Sequence, residues 1–314
     1  MKTRTLIRLF IAAVLPATSC DVDYDLGNST AKSRVVVNAL ISPQEDFAVK
    51  LHWSGSYAAN SETFRPVEQA EIRLLEEGVE ALRCTASPDG ETRTEFRATA
   101  GRHYRLEVTV PDYGTLTAET DIPAQPQAAI GVLYDNGSYR HFEMTALEYD
   151  ADTPAIWIYG SSFYRRYDYI YDENGFWTGE YDITYDEREE PLYGFYTTSP
   201  FVDQVNGAND AYEASDKEAT VEFEEFLRLP RKDCAAALPL RFSVWGNKKV
   251  RFRIVAASAA YDRYTRSRYK QALNSQYNAE NNPFIEQVTV YTNIGNGLGI
   301  FAGLNTATCD LDIL

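Results

Sequence analysis

From Arg34 to Thr120 apolar residues recur at every second position in short runs, each closed by a turn residue, and that spacing restricts what the chain can become. Val35-Val36-Val37-Asn38-Ala39-Leu40-Ile41 stops at Ser42-Pro43, and Phe47-Ala48-Val49-Lys50-Leu51-His52-Trp53 stops at Ser54-Gly55. Ala70 to Leu75 leads into the Glu76-Glu77-Gly78 turn and Val79 to Cys84. After Pro88-Asp89-Gly90 come Arg93 to Arg97, Tyr104 to Val110 and Thr115 to Thr120. Period-two alternation sends successive side chains to opposite faces, as a half-buried strand requires. About seven such strands with no helical stripe between them predict a mainly β chain. Its first domain, residues 34–122, reads as an immunoglobulin or transthyretin-like β-sandwich.

Ile122-Pro123-Ala124-Gln125-Pro126-Gln127 sets two prolines in a polar stretch and reads as a linker over 123–128. Beyond it the strands lengthen and become aromatic, which predicts a second β-rich domain over 129–314. Asn136-Gly137 and Asn174-Gly175 each stand between two strand-like runs, the sequence form of a two-residue type I′ hairpin. In the second hairpin alternate residues share a face, so Phe163, Arg165, Tyr167, Tyr169 and Tyr171 project together, with Trp177, Tyr181 and Tyr185 across the turn. Tyr167, Tyr169, Trp177 and Tyr181 are therefore candidate ligand-binding residues, a platform for a sugar ring, a peptide or a planar ligand. The competing reading is ordinary cross-strand packing of the same rings. Ser199 to Thr220 is polar and reads as a long surface loop.

Ala256 to Asn278 holds Ala, Arg, Lys, Gln and Leu with little β-branching, which predicts one late helix over about 256–278. Tyr261, Tyr264, Arg268 and Gln271 fall on one face of it. Arg263, Arg266, Arg268 and Lys270 make it a basic cluster in an acidic chain. Tyr261, Tyr264 and Arg268 are thus a second candidate set, for an anionic ligand or a partner. The competing reading is a helix docked on its own acidic domain.

The N-terminus says where such a chain would work. Lys2, Arg4 and Arg8 are threaded with Leu6, Ile7, Leu9, Phe10 and Ile11; the apolar run continues to Leu15, and Ala17-Thr18-Ser19 leads into Cys20. A basic start, a short apolar core and small residues make a secretory signal over 1–19, too short for a permanent membrane span. Cys20 directly after the small triplet resembles a bacterial lipobox, whose thiol is lipidated to become the mature N-terminus. Residues 20–33, acidic and without apolar periodicity, read as a flexible tether. Their acidic run resembles the export signal that carries Bacteroidota lipoproteins to the outer face of the outer membrane. Asp21, Asp23 and Asp25 have the spacing of a calcium loop, but Leu26 and Lys32 stand where glycine and glutamate are needed, so no metal site is expected there.

Cleavage before Cys20 removes three positive charges and takes the net charge from −16 to −19. That balance argues against nucleic acid or an anionic lipid surface as partner, since both reward Lys and Arg. Of the four cysteines, Cys84, Cys234 and Cys309 remain if Cys20 is lipidated; a Cys234–Cys309 disulfide is the expected pairing, against three reduced, buried thiols. Chemistry leaves few traces. His52, His103 and His141 lack metal-ligand spacing, no P-loop or G-x-S-x-G elbow occurs, and Gly295, Gly297 and Gly299 lack the setting of a dinucleotide fingerprint. No cofactor and no enzyme activity are expected, although a hydrolase with a carboxylate pair hidden among 46 acidic residues is the remaining catalytic alternative.

Asn282-Pro283-Phe284, a strand-like run to Asn293-Ile294, and then Gly295-Asn296-Gly297-Leu298-Gly299-Ile300-Phe301 resemble the C-terminal signature of the domain-of-unknown-function 4249 family of Bacteroidota lipoproteins. Val37-Asn38-Ala39-Leu40-Ile41-Ser42-Pro43 is similar to that family's opening strand, and Ala260-Tyr261-Asp262-Arg263-Tyr264 to its late helix. Gln287 and Thr292 depart from the pattern, where Pro and Ser are expected. The resemblance implies an outer-membrane lipoprotein that assists a TonB-dependent transporter in capturing a nutrient ligand. An adhesive surface protein that binds another protein is the alternative. By its glycines alone, Asn293 to Gly299 reads as a structural turn closing the domain.

Overall fold

The structure, a computed structural model, describes residues 33–55, 64–135, 139–191, 195–197, 221–223, 226–235, 238–245, 249–278 and 289–311. The signal segment, Cys20, the tether up to residue 32, the Asn136-Gly137 turn, the Ser199–Thr220 loop and Asn282-Pro283-Phe284 lie outside the described residues.

Among the described residues seven strands come first: β1 (Val35–Ile41), β2 (Ala48–Trp53), β3 (Glu71–Glu76), β4 (Val79–Thr85), β5 (Glu91–Arg93), β6 (His103–Val110) and β7 (Gly114–Asp121). β1, β2 and β5 pair in that order and face a four-stranded sheet of order β4-β3-β6-β7. The alternation decides which side chains meet. Val35, Val37, Ala39 and Ile41 of β1 are buried against Ile72, Leu74, Tyr104, Leu106 and Val108 of the facing sheet. Glu77 and Gly78 both take positive φ, 50° and 82°, so Glu76 and Val79 close a two-residue turn whose twist suits a hairpin.

The second half contains β8 (Gln127–Asp135), β9 (Tyr139–Glu148), β10 (Ala155–Tyr171), β11 (Trp177–Pro191), β12 (Phe195–Thr197), β13 (Val221–Phe223) and β14 (Phe226–Pro230). A single helical turn α1 (Arg231–Cys234), β15 (Leu240–Trp245), β16 (Val250–Ala257), the helix α2 (Ala259–Asn278) and β17 (Leu298–Leu311) complete it. A five-stranded sheet of order β13-β12-β15-β9-β8 supplies Phe142, Met144 and Leu240 to a second core, where Ile156, Ile158, Phe252 and Ile254 meet them.

The expected division into two consecutive domains needs correction. β17 pairs parallel with β1, from Val36↔Leu298 to Ile41↔Gly303, and antiparallel with β16. One sheet of order β11-β10-β16-β17-β1-β2-β5 results, with β14 also paired to β10. β17 lends Phe301 to the first core and Cys309 and Leu311 to the second. Ile300 to Gly303 are buried in succession, as in a central strand covered on both faces. The boundary at 122 thus divides the sequence but not the packing. Nor is 123–128 a free linker: Pro126 is buried, Gln125 donates to the Thr306 carbonyl (2.8 Å), and the Pro123 carbonyl accepts from Asn305 (2.9 Å).

Three local expectations also shift. Ala256 and Ala257 continue β16 rather than opening the helix, which begins after Ser258. The Ser258 hydroxyl accepts from the Tyr261 N–H (3.2 Å) and its carbonyl from the Asp262 N–H (3.0 Å), an N-cap that satisfies amides the first turn leaves unpaired. Ser258→Ala is expected to cost about 1 kcal/mol, seen as faster amide exchange across 259–278. The turn after Tyr171 is a three-residue loop, not a two-residue one. Gly175 has φ 81° while Asn174 does not, and the Asp172 carboxylate accepts from the Asn174 and Phe176 amides. Finally, the Cys234–Cys309 bridge does not form: Cys84, Cys234 and Cys309 are all in the thiol form. Buried Cys234 donates instead to the Leu229 and Pro230 carbonyls, and burial raises the pKa of the Cys84 and Cys309 thiols.

Candidate functional site

β10 is longer than its neighbours need. Its first half, Ala155 to Ser162, pairs with β16, and Phe163 still donates its N–H to the Lys249 carbonyl (3.1 Å). Past that point its ladder partner among the described residues is β11, and the two strands leave the sheet as a ribbon. Cross-strand pairs Tyr169↔Tyr181 and Tyr171↔Trp177 carry the aromatic face, with an irregularity at Gly179, φ 91°.

The ribbon brings together four residues predicted from the sequence. Tyr167 meets Tyr181 with ring centroids 5.2 Å apart, Tyr169 meets Trp177 at 5.8 Å and Tyr181 at 6.4 Å. The planes lie 73°, 84° and 66° apart, so the rings stand edge to face. Such pairs contribute roughly 0.5–1.5 kcal/mol each, so cross-strand packing is real here. Yet it leaves the rings in water: Tyr167 is 43% exposed, Tyr169 54%, Trp177 56% and Tyr181 47%. Sequence reasoning missed Phe176, 72% exposed where it closes the three-residue loop, and did not select Tyr171, 60% exposed. An aromatic beside an Asp-x-Asn-Gly turn was the available signal. Clustered exposed rings on this scale are uncommon on a surface with no partner.

A charged cluster, also unforeseen, fixes the base of the ribbon. Ser161 hydrogen-bonds Glu189, and Glu189 accepts from Arg253 (2.6 Å) and Arg251 (3.4 Å). Arg251 also grips Asp310 through two bonds of 2.6 and 2.8 Å. Its guanidinium and the Lys249 ammonium stand 4.8 and 5.3 Å from the Phe163 ring centroid. Burial pushes the Glu189 pKa upward, but the bonds from Arg253 and Ser161 outweigh it and hold the carboxyl below its ordinary value. The Arg251 bond does the same for Asp310. Both carboxylates are therefore charged at neutral pH and balance the Arg251 and Arg253 guanidinium groups.

The helical candidates do not join the ribbon. Tyr261 packs against Trp157 and shares a 2.9 Å hydroxyl contact with Tyr159, its pKa raised by burial. Tyr264 packs with Tyr291, Ile300 and Ala302, while Arg268 is exposed. Helix α2 is docked onto the sheet through a buried ion pair, Arg228 to Asp262 at 2.7 and 2.9 Å. The two candidate sets are separated along β10 by the stretch between Tyr159 and Tyr167. Among the described residues no group of three or more His, Cys, Asp or Glu is placed to hold a metal, and no helix is long and apolar enough to cross a membrane.

The class defined by these features is a mainly β protein built on a shared sheet, with an exposed aromatic ribbon as its most distinctive surface. The chain belongs to the family described as Domain of unknown function (DUF4249), which it matches over residues 20–309. No curated protein shows significant similarity to it. The described part of the C-terminal signature, Asn293 to Phe301, serves the fold. Asn293 exchanges bonds with the Phe301 backbone (2.7 and 3.0 Å), Gly295 pairs with Thr117, and Arg34 and Tyr113 donate to the Gly297 and Asn296 carbonyls (2.6 and 3.0 Å).

Proposed function

We propose that the protein is a non-enzymatic lipoprotein on the outer face of the outer membrane, tethered through lipidated Cys20, that assists a TonB-dependent transporter in nutrient capture. The observation that carries this reading is the ribbon: exposed Tyr and Trp rings on a two-stranded arm suit recognition of a partner or ligand, since such side chains dominate binding surfaces. The small residues before Cys20 and the acidic stretch after it support the anchor. The same rings favour a second reading, an adhesive surface protein that binds a neighbouring or host protein.

Cys20→Ser is expected to abolish incorporation of a palmitate analogue and to release the chain from the membrane fraction, because without acyl chains there is no apolar anchor. Native isolation from detergent-solubilised outer membranes then separates the two readings. Recovery of a TonB-dependent barrel with the wild-type chain supports the accessory role, and its absence favours adhesion. An unmodified thiol on a freely diffusing product would remove the basis of both.

A further inference from the structure

We infer that the tip of the aromatic ribbon is a membrane-distal docking arm for a protein whose receiving surface is basic. The direction follows from strand order and, in naming the membrane, rests on the anchored reading above. The tether enters at the start of β1, level with Leu298 of β17. β17 then runs away from that end to Leu311, level with Val250 of β16 and hence Ser162 of β10. β10 points the same way as β17 and continues to Tyr171. At about 3.3 Å per residue, those two stretches amount to about 70 Å of strand between the tethered end and the ribbon tip. The rings therefore sit at the opposite end of the strands from the point where the tether attaches.

Charge and ring geometry select the occupant. Residues 166–184 carry one cation, Arg166, which is paired with Asp168 (2.8 Å), against the carboxylates Asp168, Asp172, Glu173, Glu180 and Asp182. An arm of that charge repels a second copy of itself and an anionic lipid surface, and attracts Lys and Arg. The rings stand 66° to 84° from one another, so a flat sugar or planar ring lies on one of them at a time and gains nothing from the set. Separate rings projecting at different angles fill separate pockets, which is how a protein surface receives Tyr and Trp. The rings supply apolar contact and cation–π attraction, and the carboxylates steer the encounter.

The test uses the full lipidated chain in isolated outer membranes, with photoreactive benzoylphenylalanine in place of Phe176, or in place of the equally exposed Val79 as control. Irradiation at position 176 is expected to yield a product whose partner peptide is rich in Lys and Arg. Its yield should fall on the order of tenfold in Glu180→Lys with Asp182→Lys, and likewise at high salt. Trp177→Ala should lower it while leaving the charges in place. Yield no higher than at Val79, a product of twice the chain mass, attachment to lipid or glycan alone, or indifference to charge reversal overturns the proposal. Palmitate labelling of the same membranes separates the two claims. Label without crosslink removes the docking arm, and crosslink without label removes the anchor.

Discussion

Alanine in place of Gly299 is expected to break the seam between the two ends of the chain, at a cost on the order of 4 kcal/mol or more. Gly299 has φ 101°, a conformation L side chains rarely adopt, and it lies opposite Val37 in the parallel β1–β17 pair. A Cβ there would overlap the Val37 carbonyl oxygen and sit 2.8 and 3.0 Å from that residue's C and N. Those atoms belong to a strand bonded on both edges and cannot yield without parting the ladder. Two comparisons isolate the steric cost. Gly78 also has positive φ, 82°, but open space around it, so Gly78→Ala should cost about 1 kcal/mol from backbone strain alone. Gly131 has open space and an ordinary φ, so its alanine variant should stay within roughly 0.5 kcal/mol of the parent. Urea midpoints followed by near-ultraviolet circular dichroism give the order. If Gly299→Ala matched Gly78→Ala, the close approach of β1 and β17 would be wrong.

That seam also marks the limit of what the residues declare by themselves. Val35-Val37-Ala39-Ile41 announces a strand and its buried face because alternation is a local property. The late helix and the aromatic ribbon are legible for the same reason, each carried by spacing within some twenty residues. What alternation lacks is an address. Nothing in Leu298 to Leu311 indicates that it pairs with a strand more than 250 residues earlier, so a chain that returns to its beginning reads as two domains in a row. The Pro-containing stretch after Ile122 strengthens that misreading, since exposed and docked proline loops share one composition. At the ribbon, the sequence placed Tyr167, Tyr169, Trp177 and Tyr181 on one face. It did not distinguish packed from exposed rings, because exposure depends on β10 outrunning β16. The Ser161–Glu189–Arg251–Arg253 cluster is invisible for a related reason: its members come from three strands whose register only the folded sheet sets.

Removing the Asp262 carboxylate is expected to loosen α2 from the sheet, at about 3–5 kcal/mol for Asp262→Ala. Asp262 lies in the first turn of α2 and Arg228 on β14, with side chains 8% and 6% exposed. Arg228 donates through Nε and Nη2 to the two carboxylate oxygens, and Trp157 Nε1 adds a 3.0 Å bond to Oδ1. Taking two charges out of water is unfavourable, and such geometry offsets much of that cost, so the pair adds little net stability while intact. The loss on deleting one partner is of another kind, because the buried guanidinium then loses the carboxylate that Asp262 supplies. Asp262→Asn keeps an oxygen for Trp157 but not the charge, and should cost about 1–3 kcal/mol. The decisive variant joins Arg228→Met to Asp262→Leu. It removes both charges at the cost of the Trp157 indole bond to Asp262, so it should be less destabilised than Asp262→Ala alone. Amide exchange across 259–278 locates the effect on α2, and urea midpoints give its size. Should the double variant prove the weaker of the two, the contact stabilises by attraction and not by sparing a stranded charge; the helix would then be held by electrostatics, with the Trp157, Tyr261 and Phe226 rings beneath it secondary.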